Sequence, residues 1–208
     1  MSQLDRFRQK AAEYYTQKVR MHGPSPRGVD WNGEESQLIR FEQLCKIISA
    51  VEGEPFSILD YGCGYGALID FLKQRYKNFD YTGFDVSEEM VTQARNLYPS
   101  YRFTSDEREL SPHDYVVASG VFNVKLDIPS DEWEDYVKAQ LHYLDSLSVK
   151  GFSFNILTSY SDPDRMKDYL YYANPCMYFD YSKRHFSKWI ALLHDYGLWE
   201  FTILVRKI

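Results

Sequence analysis

Cysteine is scarce and unpatterned in this chain. Cys45, Cys63 and Cys176 are the only three in 208 residues. They form no CxxC pair and no metal-ligand spacing, so neither a disulfide framework nor a metal centre is expected. A reducing, cytoplasmic location fits that usage. No apolar run approaches the roughly 20 residues of a membrane span. The stretch from Met1 to Lys18 is polar and charged and has no apolar core of a secretory signal. Basic residues are outnumbered, 24 Lys and Arg against 30 Asp and Glu, and form no dense cluster. The formal charge of −6 repels phosphate backbones at long range, so neither nucleic acid nor a membrane is an expected partner. Internal repeats and low-complexity tracts are absent as well.

Aromatic residues are plentiful, with 18 Tyr and 13 Phe. Such rings fill a core, and they also line a pocket with flat faces that carry a polar tip. Residues 3–20 read as a charged helix with Leu4, Phe7, Ala11, Tyr14 and Tyr15 at helical spacing. A loop rich in Gly and Pro follows at 22–28. A second helix is expected over 34–51, with Leu38, Phe41, Leu44, Ile47 and Ile48 on one face. The pattern then changes. Strands are expected at 56–61, 79–85, 101–104, 115–119, 151–157 and 199–205, and helices after residue 66, from Ser87, at 131–147 and at 182–196. A further strand is sought at 177–181. Strands alternating with helices imply an α/β fold, a sheet of six or seven mostly parallel strands covered by helices on both faces. Ligands of such sheets bind at the carboxyl ends of the strands.

The chemistry concentrates at Leu59-Asp60-Tyr61-Gly62-Cys63-Gly64-Tyr65-Gly66, a glycine turn between a strand and a helix. Glycines let the backbone turn sharply and approach a ligand closely. A dinucleotide fingerprint reads GxGxxG and sets a pyrophosphate on the helix N-terminus. Here the pattern is GxGxG, and an acid precedes it. That acid suits an ammonium and opposes a pyrophosphate, which disfavours a nicotinamide oxidoreductase. Asp85 ends the next strand, where an acid accepts hydrogen bonds from ribose hydroxyls. Asp106 follows the third strand, where an acid can accept from an adenine amine. Ser119-Gly120-Val121-Phe122-Asn123 follows the fourth.

Residues 55–158 resemble a class I, Rossmann-like S-adenosylmethionine-dependent methyltransferase. Four motifs carry the likeness, in order: Ile58 to Gly66, Gly83-Phe84-Asp85-Val86-Ser87, Thr104-Ser105-Asp106, and Val116 to Phe122. The resemblance implies that Asp60, Gly62, Cys63, Gly64 and Gly66 hold the methionine part of the cofactor. Asp85 would hold the ribose and Asp106 would lie beside the adenine. Val86, Met90, Ser119 and Phe122 complete the implied cofactor set, and S-adenosylhomocysteine is the implied product. The chain departs from the family where a single strand, not a hairpin, is read after the last helix. It also lacks the Asn-Pro-Pro-aromatic motif of amino-group methylation, since Val124 and Lys125 follow Asn123.

The expected acceptor is an O or N atom of a small molecule, with an RNA or protein substrate and a non-catalytic binding module as the alternatives. Residues 1–52 are expected to form an N-terminal helical extension or lid on a methyltransferase domain over 53–208. A second candidate lid is 158–186, rich in tyrosine. Substrate candidates are Arg27, Trp31, Asn32, Tyr160 and Tyr178. His22, Asp30, Tyr160 and His185 are candidates for a general base. A monomer or a homodimer is expected.

Overall fold

The computed structural model describes residues 3–51 and 53–207. The side chain of Leu4, assigned above to the apolar face of the first helix, lies outside the described residues, as does Glu52 at the expected domain boundary. The chain divides into two compact units, Met1–Phe41 with Ala50–Ser111, and Glu42–Ser49 with Pro112–Ile208. The described strands are eight and mostly parallel.

The first unit opens with α1 (Gln3–His22) and a short 3₁₀ turn, Pro26–Val29. The helix α2 (Glu34–Cys45) begins here and ends in the second unit. The strands β1 (Phe56–Tyr61), β2 (Phe79–Phe84) and β3 (Arg102–Thr104) are parallel and lie in the order β3-β2-β1. Between them run α3 (Leu68–Arg75) and α4 (Glu88–Leu97). β1 is apolar on both faces, as a strand covered on both sides must be. Ser87 caps α4 as its position predicts: its hydroxyl accepts from the Met90 N–H at 3.3 Å.

The second unit holds β4 (His113–Ala118), α5 (Ser130–Leu147), β5 (Ser148–Thr158), β6 (Tyr172–Ala173), α6 (Pro175–His185), β7 (Trp189–Leu193) and β8 (Glu200–Arg206). Its strand order is β4-β5-β8-β7, with β6 beside β5. β8 runs antiparallel to both β5 and β7. Phe152, Phe154, Ile156, Tyr178 and Phe201 form the buried centre of this unit.

Three expectations are corrected. The second helix stops at Cys45, not at residue 51. Near its end the carbonyls are taken by other groups: Leu44 O accepts from the Ser153 hydroxyl at 3.0 Å, and Lys46 O, just past the helix, from Arg206 at 3.1 Å. The helix expected at 182–196 begins instead at Pro175 and ends at His185. Asn174 starts it by accepting from the Cys176 and Met177 N–H groups, with Pro175 in the first turn, where its missing N–H costs nothing. Residues 177–181 are therefore helix, not a hidden strand. The antiparallel partner of β8 is Trp189-Ile190-Ala191-Leu192-Leu193, a continuous apolar run that periodicity alone does not separate from helix. The terminal hairpin is complete.

Candidate functional site

The turn after β1 is built by backbone bonds to β2. The N–H groups of Gly62 and Cys63 both donate to Phe84 O, at 2.7 and 2.9 Å. Gly64 has φ +53, and a Cβ there would come within 2.8 Å of Val29 Cγ1. The N-terminal segment thus lies directly on the glycine turn. Gly83, paired with Asp60 across the strands, is tight for another reason: a Cβ would meet Phe103 Cδ1 at 2.5 Å and Cys63 Sγ at 2.9 Å.

Two carboxylates converge at this edge of the unit. Asp60 is 3% exposed, and its Oδ2 accepts from the Tyr81 hydroxyl at 2.8 Å. Burial pushes its carboxyl up to about 7, against the lowering by that hydroxyl, and the Asp85 charge adds to the rise. Asp85 is 7% exposed. Its Oδ2 accepts from the Gly64 N–H and its Oδ1 from the Ser87 N–H, both at 2.9 Å. Burial raises it to about 6, and the two amides oppose the rise. Asp85 therefore fixes the glycine turn as well as the start of α4. The Cys63 thiol is pushed well above its ordinary value by burial, then by Asp85 and Asp60, so it stays protonated and is no nucleophile.

Around these groups, Val86 is half-buried and Met90 is fully buried. Asp106 caps a short 3₁₀ turn and pairs with Arg108, Oδ2 to Nη2 at 2.6 Å. The Arg108 guanidinium, first through its side-chain bonds, holds the Asp106 carboxyl down at about 2. Its neighbour Glu107 fastens the N-terminal helix: Arg8 pairs with it at 2.6 Å, and the Tyr61 hydroxyl donates to it at 2.9 Å. Thr16 and Ser87 hydroxyls meet at 2.7 Å, and Arg20 pairs with Glu89 at 3.0 Å. Glu107 and Arg8 as a clasp were not legible in the sequence, because a lone pair 99 residues apart leaves no local pattern.

Of the substrate and base candidates in this unit, Asp30 is bound on both oxygens, by the Tyr14 hydroxyl at 2.7 Å and by Lys18 Nζ at 2.6 Å. Trp31 lies under the Arg40 guanidinium, 3.8 Å from ring centre to Cζ. Arg27, Asn32 and His22 are exposed.

In the second unit, the Ser119 hydroxyl is buried and has no hydrogen-bond partner among the described residues. Phe122 is fully buried against Phe154, and its carbonyl accepts from the Trp133 indole at 2.9 Å. Tyr178 is also fully buried, its hydroxyl 3.1 Å from that of Tyr171. Tyr160 is exposed just past the carboxyl end of β5, with its ring 5.9 Å from His194, which follows the carboxyl end of β7. His185 is not near them. It stacks on Tyr181 at 4.2 Å at the end of α6, before the start of β7 and so at the other end of that strand.

A buried pair of acids beside a glycine turn has a definite chemistry. It accepts an ammonium and a diol. S-adenosylmethionine carries both groups, so the residues present fit it. An α/β fold with that donor set after its first two strands defines a Rossmann-like methyltransferase.

Comparison with known proteins agrees. A family model described as a methyltransferase domain matches residues 58–146. The protein named "Putative methyltransferase Rv1506c" from Mycobacterium tuberculosis (strain ATCC 25618 / H37Rv) is 53% identical over 165 residues, covering 78% of this chain and 98% of that protein. The chain belongs to the class I S-adenosylmethionine-dependent methyltransferases. The fold is shared with magnesium protoporphyrin IX methyltransferase (ChlM) from Synechocystis PCC 6803 with bound SAM, at TM-score 0.66 and 15% identity over 96% of this chain and 97% of that one. It is shared also with the plantazolicin methyltransferase BpumL in complex with a pentazolic desmethylPZN analog and SAH, at TM-score 0.66 and 12% identity over 99% and 98%.

Proposed function

We propose that this methyltransferase transfers its methyl group to an O or N atom of a small molecule, in the cytoplasm, with residues 1–52 acting as a lid on the cofactor site. The observation that carries this is the seat of the N-terminal segment. Val29 rests on the glycine turn, and α1 is clasped to the start of α4 through Ser87 and Glu89 and to the turn after β3 through Glu107. A site roofed in this way admits a compact acceptor more readily than a polymer. The acidic chain, without a basic cluster, supports the same choice. One relative of the same fold is named for magnesium protoporphyrin IX, itself a small molecule.

When bound, S-adenosylmethionine supplies a methyl group on a good leaving group. The chain's own task is then alignment and exclusion of water. Asp60 would hold the ammonium, Asp85 the ribose diol, and Asp106 would approach the adenine edge. The lid keeps water from the reacting atoms. Tyr160, exposed just past the carboxyl end of β5, is the candidate base kept for the acceptor.

Calorimetric titration with S-adenosylhomocysteine tests the cofactor, and micromolar affinity is expected. Labelled S-adenosylmethionine, offered to separated small-molecule, RNA and protein fractions of a cell extract, tests the acceptor. Label in the small-molecule fraction is expected. Label in RNA or protein alone overturns the acceptor class, and binding without transfer to any fraction favours a non-catalytic module.

A further inference from the structure

The Asp60 carboxyl is held from one side only. Its Oδ2 accepts from the Tyr81 hydroxyl at 2.8 Å, and among the described residues no hydrogen bond reaches Oδ1. Asp85, in the same unit, differs. Each of its oxygens accepts from a backbone N–H, Oδ2 from Gly64 and Oδ1 from Ser87. A carboxylate kept for structure alone takes its hydrogen bonds from the protein, because an unmet charge withdrawn from water is costly. Asp60 is buried with one oxygen met and one left over.

The phenol that meets it is placed by the strands. Tyr81 stands opposite Ile58 and Gly83 opposite Asp60 in the parallel register of β1 and β2, so these four residues share one face of the strand pair. Tyr81 is thus diagonal to Asp60, within reach of a long side chain. Its ring is fully buried and packs edge-on against Tyr101 and Phe103, with centroids 5.8 Å from each. Phe at this position would fill the same space without sinking a hydroxyl into the core. The hydroxyl therefore serves something other than packing.

Burial, and after it the Asp60 charge, pushes the Tyr81 phenol well above its ordinary value, so it stays a donor at neutral pH. The other titratable groups around the pair are Asp85, the Cys63 thiol and the Tyr98 phenol. None of them donates to Asp60. Tyr98 gives its proton to Asp70 at 2.6 Å, the thiol faces Gly64 O at 3.5 Å, and Asp85 accepts only.

We propose that Tyr81 is a positioning residue for cofactor binding: its hydroxyl fixes Oδ2 of Asp60 and so aims Oδ1 at the ammonium of S-adenosylmethionine. The inference rests on the ammonium role proposed above for Asp60. Tyr81 itself does not touch the cofactor. The same bond favours the ionised carboxyl and opposes its rise by burial.

Tyr81→Phe removes the hydroxyl and keeps the ring. Two ligands are titrated by calorimetry into folded wild type and variant: S-adenosylhomocysteine, and its analogue with hydrogen in place of the α-amino group. At pH 8.5 Asp60 is ionised in both proteins, and the variant should bind S-adenosylhomocysteine about threefold more weakly through lost aim alone. At pH 7 the deficit should widen to about tenfold, because without its donor the Asp60 midpoint rises by about 0.7 of a pH unit. The analogue, which has no ammonium, should bind both proteins alike at both pH values.

A merely structural hydroxyl would lower the melting temperature and weaken both ligands equally, or neither. Either result overturns the proposal, as does a deficit that does not grow between pH 8.5 and pH 7. Wild-type protein that binds the two ligands equally tightly overturns the ammonium role of Asp60 instead.

Discussion

Asp60→Asn is the most revealing substitution, because its effects on stability and on binding have opposite signs. The Asp60 carboxyl rises from 3.8 to about 7 through burial. Between those values the native chain holds more protons than the unfolded one, so the stability of the ligand-free protein falls as pH rises through that window. The gap is worth up to ~4 kcal/mol above pH 7, at about 1.4 kcal/mol per tenfold. A bound ammonium reverses the preference by favouring the carboxylate. Binding below pH 7 must then displace a proton. From pH 8 to pH 6, Asp60 falls from about 90% to about 10% ionised, which weakens S-adenosylhomocysteine about tenfold, and Asp85, at about 6, adds about twofold. Asn at 60 keeps an oxygen for the Tyr81 hydroxyl but carries no charge. It should raise the melting temperature of the ligand-free protein at pH 8 by several degrees. It should also weaken ligand binding at that pH at least about tenfold and leave only the Asp85 part of the pH dependence. Calorimetry at the two pH values, in buffers of different ionisation heat, reads both the affinity and the protons released. Equal wild-type affinity at pH 6 and pH 8, or an Asn variant that binds like the wild type, would remove Asp60 from the ligand.

Gly64→Ala should destabilise the protein by about 1–3 kcal/mol, from strain at φ +53 and from the contact with Val29. Adding Val29→Ala should recover the part due to the contact and none of the part due to φ; thermal melts of both variants check this, and no recovery would detach the N-terminal segment from the turn. Asp85→Ala should weaken S-adenosylhomocysteine at least about tenfold and lower the melting temperature too, because it also releases the Gly64 and Ser87 N–H groups. Trp31→Ala should cost about 1 kcal/mol of stability through the lost Arg40 contact, spare cofactor affinity and reduce turnover of the acceptor, as melting, calorimetry and kinetics would show.

The first unit was the more legible of the two because its signals are local. Glycines at 62, 64 and 66 directly after an apolar strand leave few alternatives, and Ser87 followed by two acids announces a helix start. The end of the chain was harder for a physical reason. The run from Trp189 to Leu193 is apolar at every position and half-exposed at four of its five, so neither a period of two nor one of 3.6 emerges from it. Asn174-Pro175 was a start signal that went unread: a capping amide followed by a proline marks a helix N-terminus as surely as Ser87 does, and it moves the last helix forward by seven residues.

The buried polar groups of the two units divide along the same line. Asp60 and Asp85 announce themselves because each stands at the end of a strand next to glycine or to a helix start. Glu200 and Asn155, fully buried in the second unit with the Asn155 amide donating to Glu200 at 2.8 Å, do not, since 45 residues separate them and each looks like an ordinary polar residue in a strand. Only the antiparallel return of β8 along β5, with Leu157 opposite Glu200, brings the two together, and that pairing depends on the hairpin that periodicity could not see. Groups that bind the cofactor can be read from short motifs because one turn presents them. Groups that hold a turn in place from behind depend on which strands are neighbours. A long-range pairing error therefore hides them even when the cofactor and the reaction class are already evident.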